Sequence, residues 1–302
     1  MLDYPAMQAV SLVVRTGSFE KAAQALNVTP SAVSQRVKLL EERMGTVLVI
    51  RGQPCTATDR GEWLCRHMEQ LGLLEEELMA RLPALAEPDQ PQRRATLRIA
   101  TNADSLGTWF LGAVAAFARR STHLLDIAVD DQDHTAEWLR RGRVLAAVTA
   151  LAKPIQGCRV TPLGSLRYLA TASPDFVARH FPGGVTLEAL AQAPSLVFNQ
   201  KDRLQRQWMQ LAFGASPDHP VHWVPSTQGF VDASLLGIGW CVNPELLVRG
   251  HIATGRLHEL VPGTSLDIPL FWQVNRIASD RLADLTHAMV ETARQVLVNP
   301  QG

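Results

Sequence analysis

Residues 30 to 44, PSAVSQRVKLLEERM, divide by side-chain type into two stripes. Val33, Val37, Leu40 and Met44 recur at spacings of four, three and four, the period of a helix with one buried apolar face. The opposite face presents Ser31, Ser34, Gln35 and Lys38, with Arg36 at its flank. Glutamine reads adenine edges and serine bonds to bases or phosphates, while arginine and lysine attract the phosphate backbone. A helix so equipped suits the major groove of double-stranded DNA. The same pattern also fits the solvated face of a bundle helix.

A second set of polar residues lies in the middle of the chain. Asn102, Ala103, Asp104 and Ser105 fall where a strand candidate, TLRIAT (96–101), gives way to a helix. Free backbone amides and the Ser105 hydroxyl there could hold a ligand carboxylate, with Asp104 beside them. Asp130, Asp131 and Asp133 follow the next strand, LLDIAV (124–129), at the same sheet edge, where carboxylates could pair with an ammonium and a cationic side chain. Helix caps and a solvated turn explain these residues as well, and acidic loops alone would equally fit a diamine or no ligand.

Catalytic constellations are missing. The chain has no G-x-S-x-G elbow, H-E-x-x-H pair, G-x-x-x-x-G-K-[ST] loop or G-x-G-x-x-G fingerprint, so the expectation is a protein that is not an enzyme. His219 and His222, in the proline-flanked SPDHPVHW, read as turn residues rather than metal ligands. Trp109, Trp138, Trp223, Trp240 and Trp272 stand in apolar surroundings and read as core. Cys55, Cys65, Cys158 and Cys241 form no C-x-x-C pair and read as reduced packing residues, so no metal or cofactor is expected.

The elements that must carry these groups follow from local signals. Ser18 is placed to cap a short helix through Phe19, Ala22, Ala23 and Leu26, which Asn27 and Val28 break. Thr29 can cap the next helix, with Pro30 in its first turn. From Thr58 to Leu82 one long helix is expected, in which Leu64, Met68, Leu71, Leu78 and Leu82 form a four/three seam interrupted by Glu75. That seam fits a short coiled coil or an amphipathic helix docked on its own domain. The polar, proline-bearing EPDQPQ (87–92) marks a linker. Beyond it, helices at 105–119 and 135–141 alternate with the strands 96–101, 124–129 and 144–149, which argues for a parallel α/β sheet. A turn-rich block runs from about 165 to 267, followed by PLFWQV (269–274) and a closing helix near 280–298.

Composition bounds the class. At 302 residues the chain exceeds one ordinary core, and 46% hydrophobic with 19% charged residues is the balance of a folded protein. Basic and acidic residues number 29 each, so any basic site must be local. The first sixty residues are lightly basic, with seven cationic side chains against five acidic ones. No stretch is long and apolar enough for a membrane span, and the first residues do not read as a secretion signal, so a cytoplasmic location without membrane partners is expected.

The segment FEKAAQALNVTPSAVSQRVKLLEERMGTVLVIR (19–51) resembles the winged helix-turn-helix signature of LysR-type transcriptional regulators. The resemblance implies an all-α winged helix-turn-helix domain at 1–58, with Ser18 and Thr58 joining Thr29, Pro30, Ser31, Ser34, Gln35, Arg36, Lys38 and Arg51 at the DNA. It implies a wing over 47–58, a dimerising linker helix and hinge at 59–92, and an effector-binding α/β domain at 93–302. The last is expected as two Rossmann-like lobes similar to periplasmic binding proteins, lobe I at about 95–163 and 268–293 and lobe II at about 164–267. VIRGQP (49–54), ATNADSLGTW (100–109), LRRGRVLAAV (139–148) and RHFPGGV (179–185) resemble more narrowly the ArgP/LysG branch, whose members regulate basic amino acid export. By that analogy the effector is L-lysine or L-arginine, and Asn199, Asp202, Ser226 and Thr227 complete the crevice from lobe II. A homodimer assembling to a homotetramer on promoter DNA, with RNA polymerase as a further contact, is the expected assembly. The alternative is a nucleoid-type or replication-related DNA-binding protein that senses no amino acid. A transported-solute binding protein would explain the lobes and leave the first sixty residues without a role.

Overall fold

The computed structural model describes residues 2–82, 96–129, 135–140 and 142–299. Its contacts divide the chain into two compact units, 1–95 and 96–302.

The first unit begins with three helices, each started by a side-chain cap. Asp3 accepts from the Ala6 amide ahead of α1 (Tyr4–Thr16), which Gly17 ends in the left-handed region at φ 68°. Ser18 caps α2 (Phe19–Ala25), and Thr29 caps α3 (Pro30–Met44) with Pro30 in its first turn. Val33, Val37 and Leu40 are buried against Val10, Val13, Ala22 and Ala23 as their spacing requires. Met44, expected on the same stripe, is 45% exposed, because α3 ends one residue later at Gly45 and its last turn overhangs the core. β1 (Val49–Ile50) and β2 (Thr56–Ala57) pair antiparallel as a small wing, and Thr58 then caps α4 (Asp59–Arg81).

Leucine placement splits α4 in two. Leu64 is buried in the core of the unit and Met68 packs on it, whereas Leu74, Leu78 and Leu82 are half-exposed. The first half of the apolar seam therefore docks on its own domain, and the leucines of the second half are half-exposed among the described residues.

In the second unit β3 (Thr96–Thr101) leads into α5 (Ala103–Ser105), a π-helical turn (Leu106–Phe110) and α6 (Leu111–Ala118). A plain helix was expected here. The Thr108 hydroxyl donates to the Asp104 carbonyl at 2.6 Å, an i−4 side-chain bond beside the place where the helix widens. β4 (Leu124–Val129), α7 (Thr135–Arg140) and β5 (Ala146–Thr149) complete the alternating segment, β5 starting two residues later than the apolar run suggests. β6 (Cys158–Ala172) is followed by α8 (Pro174–His180), α9 (Leu187–Gln192), β7 (Ser195–Val197), α10 (Leu204–Phe213) and β8 (Val221–Trp223). Then come α11 (Thr227–Leu235), β9 (Cys241–Pro244), α12 (Glu245–Ala253), β10 (His258–Glu259), β11 (Ser265–Asn275) and α13 (Ala283–Val296).

Among the described residues the main sheet has the order β10-β6-β11-β5-β3-β4, with β9 also on β6. β3 runs parallel to β4 and β5, while β11 runs antiparallel to β5 and β6. β4 is the edge strand, so its side chains are exposed or half-buried, where those of β5 are all buried. β7 and β8 form a small parallel sheet beside α10 and α11. The result is the two-lobed α/β architecture, with the long β6 and β11 strands shared between the halves.

Trp109, Trp240 and Trp272 are buried, and Trp138 is half-buried with the guanidinium groups of Arg98 and Arg143 at 5.5 and 5.7 Å from its ring centroid. Trp223, expected in the core, is 56% exposed at the end of the short strand β8. All four cysteines are free thiols; burial pushes Cys65 and Cys241 up to about 12.

Candidate functional site

On the first unit, α3 keeps Ser31, Gln35 and Lys38 exposed and Ser34 and Arg36 half-exposed on the face opposite Val33 and Val37. Fifteen residues of helix place a partial positive charge at its N-terminus, next to Pro30 and Ser31. Three of the expected DNA-contacting hydroxyls already have structural work. Ser18 accepts from the Glu20 and Lys21 amides and donates to the Glu20 carboxylate at 2.6 Å. Thr29 accepts from the Ala32 amide and shares a 2.9 Å bond with the Ser31 hydroxyl. Thr58 donates to the Val47 carbonyl at 2.8 Å and caps α4. Arg51 is exposed on the wing, its guanidinium 5.1 Å from the Phe19 ring centroid. Lys38 and Glu42 lie 3.7 Å apart with both side chains in solvent, a weak and salt-screened pair that leaves the ammonium available.

On the second unit a cavity of about 320 Å³ opens beyond the carboxyl end of β3. Asn102, Ala103 and Asp104 line one side, and the 198–204 loop with Gln207 of α10 lines the other. Ala150, Phe230, Val242 and Ile268 complete the wall. Strand ends in a parallel sheet leave such crevices, because the chain turns there into helices whose amides point inward. Phe198 and Phe230 meet edge to face, with centroids 6.4 Å apart, and give the wall an apolar stretch.

Asp104 is the acid most firmly placed. Tyr168 of β6 donates its phenol proton to Oδ2 at 2.8 Å, and Thr227 at the start of α11 donates its hydroxyl to Oδ1 at 2.7 Å. The Asn102 side-chain oxygen accepts from the Ser105 amide at 2.6 Å, while its Nδ2, the Ser105 hydroxyl and the Thr101 hydroxyl are buried without a hydrogen-bond partner. Buried unpartnered polar atoms are costly, and here they gather beside a cavity that a polar ligand can enter.

Asp202 accepts from the Phe198 and Leu204 amides, and Asn199 from the Lys201 amide, so both shape the cavity loop. Asp202 reaches the lining and Asn199 does not. Ser226 caps α11 without lining the cavity, and Thr227 takes part through Asp104. Asp130, Asp131 and Asp133 lie outside the described residues. Tyr168, Lys201, Arg203 and Gln207 are members of this neighbourhood that sequence reasoning missed. Only the Lys201 and Arg203 charges, flanking Asp202 in a turn, offered a signal. Among the described residues no cluster of His, Cys, Asp and Glu could hold a metal, and no helix is long and apolar enough to cross a membrane.

Comparison with known proteins addresses both units. Residues 5–62 match the bacterial regulatory helix-turn-helix family of lysR type, and residues 90–297 match the LysR substrate binding domain. The HTH-type transcriptional regulator ArgP of Pseudomonas aeruginosa is 43% identical over 302 residues, covering 100% of this chain and 99% of that protein. The C-terminal domains of a LysR family protein from Agrobacterium tumefaciens share 68% identity over 68% of this chain and 100% of theirs, with a TM-score of 0.68. Full-length LysG from Corynebacterium glutamicum, solved with the effector Arg bound, is 37% identical over 99% of this chain and 100% of that one, with a TM-score of 0.71. With both halves matched and relatives aligned from end to end, this chain belongs to the LysR family of DNA-binding transcriptional regulators, which are not enzymes.

Proposed function

We propose that this regulator senses a basic amino acid, L-arginine or L-lysine, and controls a promoter such as that of a basic amino acid exporter. The observation that carries the reading is the cavity at the end of β3, where a fixed carboxylate, Asp104, stands beside buried unpartnered donors. The first suits an ammonium or guanidinium group and the second a carboxylate, the two charges of an amino acid. The arginine bound by the related LysG supports the choice of ligand.

In this reading residues 1–58 bind the operator, 59–92 dimerise and 93–302 bind the effector in the cytoplasm. Ser31, Ser34 and Gln35 face bases, with Arg36, Lys38 and Arg51 on phosphates. Asn102, Ala103, Asp104, Ser105 and Asp202 bind the effector, with Asp130, Asp131 and Asp133 as further acids. The half-exposed Leu74 and Leu78 of α4, with Leu82 just past its end, support a dimer, which pairs into a tetramer on the promoter and contacts RNA polymerase. No cofactor is needed for any of these steps.

Isothermal titration of the full-length protein against the twenty amino acids tests the reading. Saturable binding of arginine or lysine, with none of comparable strength for neutral amino acids, is expected. Absence of binding by folded protein refutes it.

A further inference from the structure

Glu41 is an anion in the domain that must approach a polyanion, and the structure turns it inward. It sits in the last turns of α3, half-buried, and its Oε1 accepts from the Leu48 amide at 2.7 Å and the Val49 amide at 3.0 Å. Leu48 precedes β1 of the wing and Val49 is its first residue. From the other side Thr58, at the foot of α4, donates its hydroxyl to the Val47 carbonyl at 2.8 Å and its amide to the Leu48 carbonyl at 3.0 Å. The root of the wing is thus held by its amides to α3 and by its carbonyls to α4. The wing itself has two residues per strand, Val49 opposite Ala57 and Ile50 opposite Thr56, too short a ladder to fix its own orientation. Arg51 follows directly after β1.

We propose that Glu41 is a positioning residue for DNA binding: its carboxylate locks the wing to the recognition helix, so that Arg51 meets phosphate in register with the base contacts of Gln35. The inference rests on the reading of Arg51 as a phosphate contact given above. A carboxylate accepting two amide protons makes bonds stronger than neutral ones, and its removal leaves two amides at the wing root unsatisfied. Leu48, Val49 and Cys55 anchor the wing in the core, and the Cys55 amide donates to the Gly17 carbonyl at 2.9 Å. Without the Glu41 tie the wing therefore stays attached but its first strand loosens, which weakens the Arg51 contact, while α3, held by Val33, Val37 and Leu40, still presents Gln35.

The test is fluorescence anisotropy over a salt series, using one duplex selected from a random pool by the unmodified protein. Glu41→Ala should weaken binding roughly tenfold and lower the salt slope by about one, the same effect expected of Arg51→Ala. Arg51→Ala should add less than about twofold in the Glu41→Ala background, whereas Gln35→Ala should add its full loss of discrimination there. Glu41→Gln, which keeps an acceptor oxygen, should bind within about twofold of the unmodified protein. Glu41→Asp, which keeps the charge but falls a methylene short, should behave as Glu41→Ala and serves in its place if the alanine variant does not fold.

Losses for Glu41→Ala and Arg51→Ala that multiply, or an unchanged salt slope in Glu41→Ala, would overturn the proposal while leaving Arg51 as a phosphate contact. An Arg51→Ala variant that binds like the unmodified protein would overturn the phosphate reading, and this inference with it.

Discussion

Replacing Asp104 by asparagine changes one oxygen to an amide nitrogen and removes one charge. Both carboxylate oxygens accept a hydroxyl proton, from Tyr168 at 2.8 Å and from Thr227 at 2.7 Å. A carboxamide has one acceptor oxygen, so one of those hydroxyls must accept from the NH2 group instead and turn its own proton elsewhere. Because Tyr168 is fully buried, exchanging charge-assisted bonds for neutral ones there should cost about 1 to 2 kcal/mol of stability. In a domain of this size that lowers the melting temperature by about 2 to 4 °C per kcal/mol. The effect on ligand is separate. A cation facing the cavity loses a charge-assisted partner, which predicts an arginine affinity lower by roughly 10- to 100-fold. Citrulline, the neutral isostere of arginine, keeps the α-ammonium and loses only the side-chain charge, so titrating both ligands shows which cation Asp104 holds. Calorimetric titration and a thermal melt on the same samples separate the two consequences. DNA affinity without ligand should stay unchanged. A variant that melts lower yet binds arginine as the unmodified protein does would remove Asp104 from the binding site and leave it a purely structural tie.

Other expectations follow from particular contacts. Leu78→Lys in the second half of α4 should shift the protein toward monomer in analytical ultracentrifugation, while a retained dimer would place the interface elsewhere. Gln35→Ala should weaken binding to a selected duplex and leave binding to random duplex nearly unchanged; equal losses would refute base readout by Gln35. The Cys65 and Cys241 thiols, pushed from 9.0 up to about 12 chiefly by burial, are held protonated by the fold. Their contribution to stability is therefore present below pH 9 and lost as pH rises from 9 toward 12, which denaturant melts at pH 8 and pH 10.5 should show as a drop that Cys241→Ser reduces. If ligand and DNA are coupled, the factor by which arginine changes DNA affinity must equal the factor by which DNA changes arginine affinity, and two unequal factors would mean that the titrations report different equilibria.

Local signals made the first unit readable because short-range chemistry decides it. Ser18 and Thr29 with Pro30 cap the helices that they announce, Thr58 stands as the cap of α4 rather than its first residue, and the four/three spacing finds Val33, Val37 and Leu40 in the core. Spacing alone could not tell that Met44 lies past the edge of that core, nor that the leucine seam of α4 changes from docked to half-exposed along its length. The strands β3 and β4 match their apolar runs residue for residue. From the residues themselves the cavity was legible only on the side built by a single turn, Asn102 to Asp104, and on the other wall the family resemblance reached Asp202. That other wall comes from residues about a hundred positions later, and Tyr168 reaches Asp104 across 64 positions from a strand whose own pattern gives no hint of a polar task. Trp223 misled for the same reason: whether a tryptophan is covered depends on which strand lies beyond it, and β8 has a neighbour on one side only among the described residues.

A net charge of zero counts less against DNA binding than it first suggests, because position rather than sum sets the field that a phosphate meets. Four of the five acids of the first sixty residues are committed to the fold. Asp3 caps α1, Glu20 bonds to Ser18 in the first turn of α2, and Asp59 stands in the first turn of α4, all at helix ends whose partial positive charge offsets a carboxylate. Glu41 holds the wing amides and Glu42 lies against Lys38. Arg36 and Arg51 have no such duty in the helix starts, and the N-terminus of α3 adds its own partial charge beside Ser31. A surplus of two charges per domain is thus spread unevenly, with four of the five acids bonded or placed at helix starts and the wing root, and Glu42 left in solvent beside Lys38. A symmetric pair of such domains doubles the phosphate contacts at a palindromic site without requiring a basic chain.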